Sequence, residues 1–389
     1  MTVRGQTELE FAPLPRGGPR RREPLSGRRR TAWLIVRAAA LVCLIALGWS
    51  VGGALSAPGT DSTAARLAEW ARFHGFGWVV SGLEQVQYQL DPPKIGGSVA
   101  GGIPKVGQLR SIPIHGRAPS PIAPQVRPAL ADEGVWQPLV SVHGQPAIRA
   151  AFLRPDARHT SYLVGVAWLD QRLLRMVLHP GTQVPGGSGW SQPSYVPPSQ
   201  RAGLLATFNS GFTMVDANGG YWQDGQTASP LRKGAASMVV SKDGHVDVVR
   251  WPGGRPAPDV AAVRQNLGLL VDGGKIAPDV NSTTTNTWGK TVGNHMYVWR
   301  TALGIRKDGS LVFVVGDSLS VRTLANIVRD AGAVRAMELD INKAWTNFMT
   351  YSHVGQASAV PHMLTADEDP NPYRYLQPST RDFVAVFAR

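Results

Sequence analysis

The chain has 389 residues, of which 43% are hydrophobic and 17% charged, with 43 Gly and 30 Pro. That composition excludes a wholly disordered or fibrous protein and implies a turn-rich globular core, as one large domain or two. The formal net charge is +13, but residues 1–37 hold nine Arg against three Glu and carry +6 of it. The remaining +7 is spread thinly, with no Lys/Arg run or basic helix. That excludes a nucleic-acid signature and leaves a mild affinity for anionic polymers.

Residues 1–30 contain Arg20-Arg21-Arg22 and Arg28-Arg29-Arg30 with Pro and Gly between them. Such a segment cannot bury a core and reads as a disordered basic tail. Ala38 to Ala57 runs for 20 residues without a charge, enough to span a bilayer core of roughly 30 Å. We assign residues 31–57 to a transmembrane helix, with Arg37 placed to snorkel to the head groups. The Arg-rich flank puts the N-terminus in the cytoplasm and the C-terminal part outside, as a single-pass protein of the cell membrane. Pro58, directly after Ala57, argues against cleavage of a signal peptide there. Cys43 is the one cysteine and lies in the span, so an outer domain folds by core burial without an intramolecular disulfide.

Residues 58–135 form a membrane-proximal segment. Leu67, Trp70, Phe73, Val79, Val80, Leu83 and Val86 recur at helical spacing over 61–90, with a kink at Gly75-Phe76-Gly77. From Asp91 to Pro128 the chain is rich in Pro and Gly and reads as a linker or extended strap. Residues 136–389 are strand-rich. Runs at 161–169, 173–178, 204–208, 237–241, 246–249 and 267–271 have β character, and Lys242-Asp-Gly-His245 and Lys307-Asp-Gly-Ser310 are Asp-Gly turns joining strand pairs. A βαβ unit follows. It comprises the strand Leu311–Val315, a helix capped by Ser318 or Ser320 and ended by Gly332, and the strand Val334–Leu339. The fold class is therefore α/β (α+β): a mixed β-sheet domain with packed helices, preceded by one transmembrane helix.

Asp340 falls just beyond that last strand, where open α/β sheets bind ligands. Glu338, two residues earlier, shares its face. A pair of carboxylates suits glycosidic chemistry, one acting at an oxocarbenium centre and the other moving a proton. On spacing alone the commoner reading is that Glu338 is solvated and Asp340 only caps a turn. Arg300 precedes the strand Thr301–Ile305 and can clamp a phosphate or make a surface ion pair. Asn209 and Gly211 sit in the turn Phe208-Asn-Ser-Gly-Phe212, either as ligand contacts or as a plain turn. The sequence has no Walker loop, His-Glu-x-x-His, paired cysteines or Gly-x-Ser-x-Gly. His295, His353 and His362 are too scattered for a metal site, and no cofactor is implied.

Four blocks in order resemble the phosphodiester glycosidase family, typified by N-acetylglucosamine-1-phosphodiester α-N-acetylglucosaminidase. They are Phe208-Asn-Ser-Gly-Phe212, Leu267-Gly-Leu-Leu-Val-Asp-Gly-Gly-Lys275, Arg300-Thr-Ala-Leu-Gly304, and Thr323 through Leu339-Asp340. The resemblance spans roughly residues 140–389. It implies catalytic roles for Asp340, Arg300 and Glu338 and substrate contacts from Asn209 and Gly211. Where the family has a glycine run after the aspartate, this chain reads Ile341-Asn342-Lys343-Ala344-Trp345. Gly316-Asp317-Ser318 likewise replaces the family's Asp-Gly-Arg. Asn342 then stands in for a backbone donor, and Trp345 offers a face to a sugar ring.

Two functions are therefore expected. One is a membrane-anchored hydrolase cleaving a sugar-1-phosphodiester in an extracytoplasmic glycan or cell-envelope polymer. The other is a non-catalytic module binding an anionic glycan through the same cleft. A structural role for the 61–90 helix beside another membrane protein is a third reading. Nothing in the sequence identifies a protein partner.

Overall fold

The computed structural model describes residues 27–57, 59–106, 118–282, 287–289, 296–354, 358–368 and 371–389. The readings placed on residues 1–26, Pro58 and His295 lie outside them. The chain divides into two units, one ending at Ala54 and the other running Leu55–Arg389. The first is built on α1 (Gly27–Leu55), 29 residues long, of which Arg30–Leu55 is long and apolar enough to cross a membrane and has none of its side chains buried. Its apolar residues face outward all round, as a helix solvated by lipid requires. The helix starts several residues before the uncharged stretch, and Arg37 lies 4.8 Å over the ring of Trp33.

The second unit opens with α2 (Thr63–Phe73) and α3 (Gly77–Leu90). Ser62 caps α2 by accepting from the Ala65 N–H at 3.1 Å. The helical pattern breaks at the expected kink, where Gly75 takes φ +82°, a backbone state that favours glycine. The described start of the Pro/Gly-rich stretch is held against the strand-rich part by two hydrogen bonds. Lys94 N–H donates to the Tyr162 hydroxyl at 3.0 Å, and Gly96 N–H to the Arg158 carbonyl at 2.6 Å. Ile122 is buried.

The strands in chain order are β1 (Gln137–Val142), β2 (Gln145–Leu153), β3 (Val164–Leu169), β4 (Leu174–His179), β5 (Leu204–Asn209), β6 (Tyr221–Gln223), β7 (Gln226–Ser229), β8 (Ala236–Ser241) and β9 (Val246–Arg250). They continue with β10 (Val260–Gln265), β11 (Leu269–Asp272), β12 (Lys275–Ile276), β13 (Val298–Arg306), β14 (Leu311–Leu319), then α4 (Val321–Asp330), β15 (Ala333–Glu338), β16 (Phe348–Val354), β17 (Ser358–Met363) and β18 (Phe383–Ala388). They form three sheets: an eight-stranded sheet ordered β1-β2-β3-β14-β13-β15-β11-β12, and five-stranded sheets ordered β7-β6-β10-β8-β9 and β17-β16-β5-β18-β4. The fold is α+β, as the sequence pattern predicts. Both Asp-Gly turns join antiparallel neighbours, β8 with β9 and β13 with β14.

The βαβ unit has β13 inserted between its two strands, so β14 and β15 run parallel to each other and antiparallel to β13. Side chains on β14 alternate between two cores. Leu311, Phe313 and Val315 join the large cluster on one face; Val312 and Val314 join the cluster with Leu324, Ile327 and Val328 of α4 on the other. Ser320, rather than Ser318, caps α4, accepting from the Thr323 N–H at 3.0 Å. The first core is keyed by Phe208, Phe313 and Phe348, whose ring centroids lie 5.1, 5.3 and 6.1 Å apart. This packing fixes the ends of β5, β13 and β15, where the candidate residues sit.

Candidate functional site

Asp340 lies two residues past the end of β15, buried to 3% exposure. Its Oδ1 accepts from the N–H groups of Ile341 and Asn342 at 2.7 and 3.0 Å, so the carboxylate folds its own loop back. Its Oδ2 faces Arg381 Nη1 at 3.8 Å. Burial pushes the Asp340 carboxyl up to about 6, against the pull of Arg381 and the two N–H groups.

Thr301, on β13, is the hub that joins Asn209 to Asp340. Its hydroxyl oxygen accepts from Asn209 Nδ2 at 3.0 Å and from the Asp340 N–H at 3.0 Å, and its O–H donates to the Asp340 carbonyl at 3.3 Å. Asn266 clamps the same corner. Its amide nitrogen donates to the carbonyls of Glu338 and Leu339 at 2.8 and 3.0 Å, and its oxygen accepts from the Phe212 N–H at 3.2 Å. Asn209, Thr301, Asn266 and Asp340 thus form one buried polar network.

Arg300 and Glu338 form a second, drier pair. Arg300 Nη1 donates to Glu338 Oε1 at 2.6 Å, and Arg300 Nε to the Leu319 carbonyl at 2.9 Å. Their exposures are 2% and 0%. Burial raises the Glu338 carboxyl to about 6, in spite of the guanidinium beside it. The two carboxylates therefore each face a different arginine.

The remaining sequence-derived residues are placed as follows. Gly211 lies under Arg264, whose guanidinium donates to Asp382 at 2.6 Å and to the Gln265 carbonyl at 2.6 Å. A Cβ on Gly211 would stand 2.9 Å from Arg264 Nη2, so the glycine makes room for an arginine. The Trp345 ring is buried, with the guanidinium groups of Arg374 and Arg381 over it at 4.8 and 4.9 Å. Buried and stacked on by two guanidinium groups, the ring does not present the open sugar platform expected from sequence. Asn342 is half-buried; its Oδ1 accepts from the Ala344 N–H at 3.0 Å.

Beside this network lies a cleft of about 480 Å³. Asn342 and Lys343 of the rewritten loop line it, with Asp317, Trp299, Tyr297 and Tyr88 of α3. Arg300, Glu338 and Asp340 are not among the residues that line it. Lys343 holds its ammonium 5.6 Å over the Trp299 ring. Burial raises the Asp317 carboxyl, against the Ser318 N–H and Lys343. Among the described residues no group of three His, Cys, Asp or Glu is placed to hold a metal.

Two residues that sequence reasoning missed complete the arrangement. Arg381, just before β18, is 6% exposed. Its Nη2 donates to Glu69 Oε1 at 2.9 Å, while its Nε and Nη1 have no hydrogen-bond acceptor. Burial works against its charge, but Glu69 and Asp340 hold it more firmly protonated. Glu69, on α2, is itself buried, and its Oε2 has no donor. Asp61 ties the start of this segment down by accepting from the Thr380 hydroxyl at 2.7 Å. A lone glutamate within an apolar helical pattern, and an Arg-Asp pair directly before an apolar strand, were the available signals.

Residues 202–340 match the phosphodiester glycosidase family. The match ends on Asp340 and contains the turn, hairpin, strand and helix blocks that carry the resemblance in the sequence. The departure at 341–345 lies just past its end. No curated protein matches the chain. Among solved structures, a hypothetical protein from Synechocystis is similar at 12% identity and a TM-score of 0.36, over 67% of this chain and 65% of that one. A protein of Burkholderia pseudomallei K96243 described as exported is similar at 13% identity and a TM-score of 0.30, over 58% of this chain and 74% of that one. The chain covers slightly less than two thirds of the Synechocystis protein.

Proposed function

We propose that this chain is a membrane-anchored hydrolase that cleaves the bond between a sugar anomeric carbon and a phosphate in an extracytoplasmic glycan or glycopolymer. The observation that carries the reading is where the family match closes. It ends on Asp340, a buried carboxylate whose Oδ2 faces Arg381. Phosphate is a good leaving group, so the minimum machinery is a carboxylate at the anomeric centre and a cation for the phosphate. Asp340 takes the first role. Arg381 is better suited than Arg300 to the second, because Arg300 is engaged by Glu338 and the Leu319 carbonyl. Arg300 and Glu338 act by fixing the ends of β13 and β15, and Asn209 and Gly211 by holding the β5 turn against them. Asn342, Lys343 and the aromatic rings of the cleft supply the glycan-binding surface. Helix α1 is the single-pass anchor, with the Arg-rich N-terminus cytoplasmic and Leu55–Arg389 outside.

The test is hydrolysis of sugar-1-phosphodiesters by the purified chain. Asp340→Asn should lower kcat/KM by about 10²–10³ while leaving the fold intact. Retention of near-full activity would remove Asp340 from the mechanism. A second reading, a non-catalytic module for anionic glycan, is favoured by the replacement of the glycine run with a loop that leaves Asp340 only 3% exposed. Binding of a phosphorylated glycan without turnover by any sugar-1-phosphodiester would establish it instead.

A further inference from the structure

Helix α3 is amphipathic in the reverse sense. Val79, Leu83, Val86 and Leu90 recur at i, i+4, i+7 and i+11 and share one face. Their exposures are 38%, 68%, 52% and 81%, and the neighbouring Trp78 is 74% exposed. The opposite face carries Glu84 and Tyr88, which line the cleft, and Glu84 takes an ion pair from Arg72. Val80 is turned inward and buried. A water-soluble surface helix points its apolar stripe into the protein. This one points it out, and the stripe is free of charge. A contiguous exposed apolar face of this kind marks an interaction site.

Three features identify the occupant as lipid. Only residues 56–76 separate the start of α3 from the end of α1, so an anchored chain holds this face near the bilayer. Trp78, in the first turn, is the side chain most at home at a membrane–water interface. The stripe is aliphatic with one aromatic beside it, and it holds no arginine, a residue that protein interfaces enrich. We propose that the outward stripe of α3, Val79, Leu83, Val86 and Leu90, with the exposed Trp78 at its edge, lies in the interfacial layer of the membrane that α1 spans. This rests on the membrane reading of α1. It places one wall of the cleft on the lipid surface, suited to a substrate that is itself held at or near a membrane.

The test uses the full chain with Cys43→Ser, reconstituted in phosphatidylcholine vesicles. A single cysteine is introduced by Leu83→Cys and labelled with an environment-sensitive fluorophore. A control carries the label by Lys242→Cys, in the exposed β8–β9 turn. Lipids bearing a shallow nitroxide should quench the label at position 83 several-fold more than the label at 242, and aqueous iodide should do the reverse. Equal iodide quenching at the two positions, with no lipid quenching at 83, overturns the assignment for α3 alone. Protection at 83 that appears only at high protein density means a second copy covers the face, and also overturns it. Release of the chain from the vesicles by alkaline carbonate overturns the anchor itself and the inference with it.

Discussion

Replacing Arg300 by Met isolates the buried Arg300–Glu338 pair, with a cost that depends on pH in a definite direction. The substitution keeps the aliphatic volume but leaves Glu338, with no exposed surface, without its 2.6 Å donor. Its Oε2 already lacks a partner. The carboxyl then has no stable ionised form in the fold and must take up a proton. Relative to its ordinary value of 4.5, protonation at about pH 8 costs roughly 5 kcal/mol, at about 1.4 kcal/mol per decade. The native pair, with Glu338 at about 6, already carries roughly 2 kcal/mol of that penalty. The difference, about 3 kcal/mol, is the expected destabilisation at about pH 8 and agrees with the usual cost of orphaning a buried charge.

The sign follows from linkage. The folded value is raised, so the stability contributed by a protonated Glu338 is fully present below 4.5 and lost as pH rises through about 6. At about pH 5 both proteins hold the carboxyl largely protonated, so the difference should shrink to about 1 kcal/mol or less. Urea unfolding followed by tryptophan fluorescence at the two pH values measures it. The double variant Arg300→Met with Glu338→Leu should recover most of the loss at about pH 8. An equal cost at both pH values, or one below about 1 kcal/mol at about pH 8, would refute the account of this pair.

Three more outcomes are expected. Asp340 must be ionised to act, so kcat/KM on a sugar-1-phosphodiester should fall as pH drops through about 6, and a profile flat across that range contradicts its role. Glu69 occupies Arg381 in the folded protein. Glu69→Ala should therefore raise kcat/KM, whereas Arg381→Met should lower it by about 10²-fold; if Glu69→Ala instead abolishes activity with the fold retained, α2 is part of the site rather than its cover. Gly211→Ala places a methyl group 2.9 Å from the Arg264 guanidinium and should cost about 1–3 kcal/mol by denaturation; a neutral result would mean that arginine moves freely.

Local signals in the sequence are legible where they are self-contained. The long apolar run became α1, the kink at Gly75 divides α2 from α3, the Asp-Gly dipeptides are hairpin turns, and α4 begins and ends at its Ser and Gly. The cap fell to Ser320 because its hydroxyl reaches the Thr323 N–H, while Ser318 sits at φ +56° before the helix. Pairings across long stretches of chain were not legible. Nothing local says that Arg381 will meet Glu69, 312 positions away, or that β3 will lie beside β14. The same limit applies to the candidate residues. Their types and strand-end positions were readable, but which carboxylate faces which arginine depends on the register of β13 against β15. That Trp345 is buried against Arg374 and Arg381 depends on a loop conformation with no sequence pattern of its own.

The placement of β18 bears on how this protein is made. It is not an edge strand: it pairs on both sides, with β5 and β4, which precede it by well over a hundred residues. Until it arrives, those two strands present open edges to whatever surrounds the chain, the arrangement most exposed to wrong pairing. A polypeptide made from its N-terminus onward spends that interval with its sheet unfinished. Arg381 arrives with the same segment, directly ahead of β18. The cation facing Asp340 is therefore among the final groups to be installed, and a nascent chain would lack it until the sheet closes.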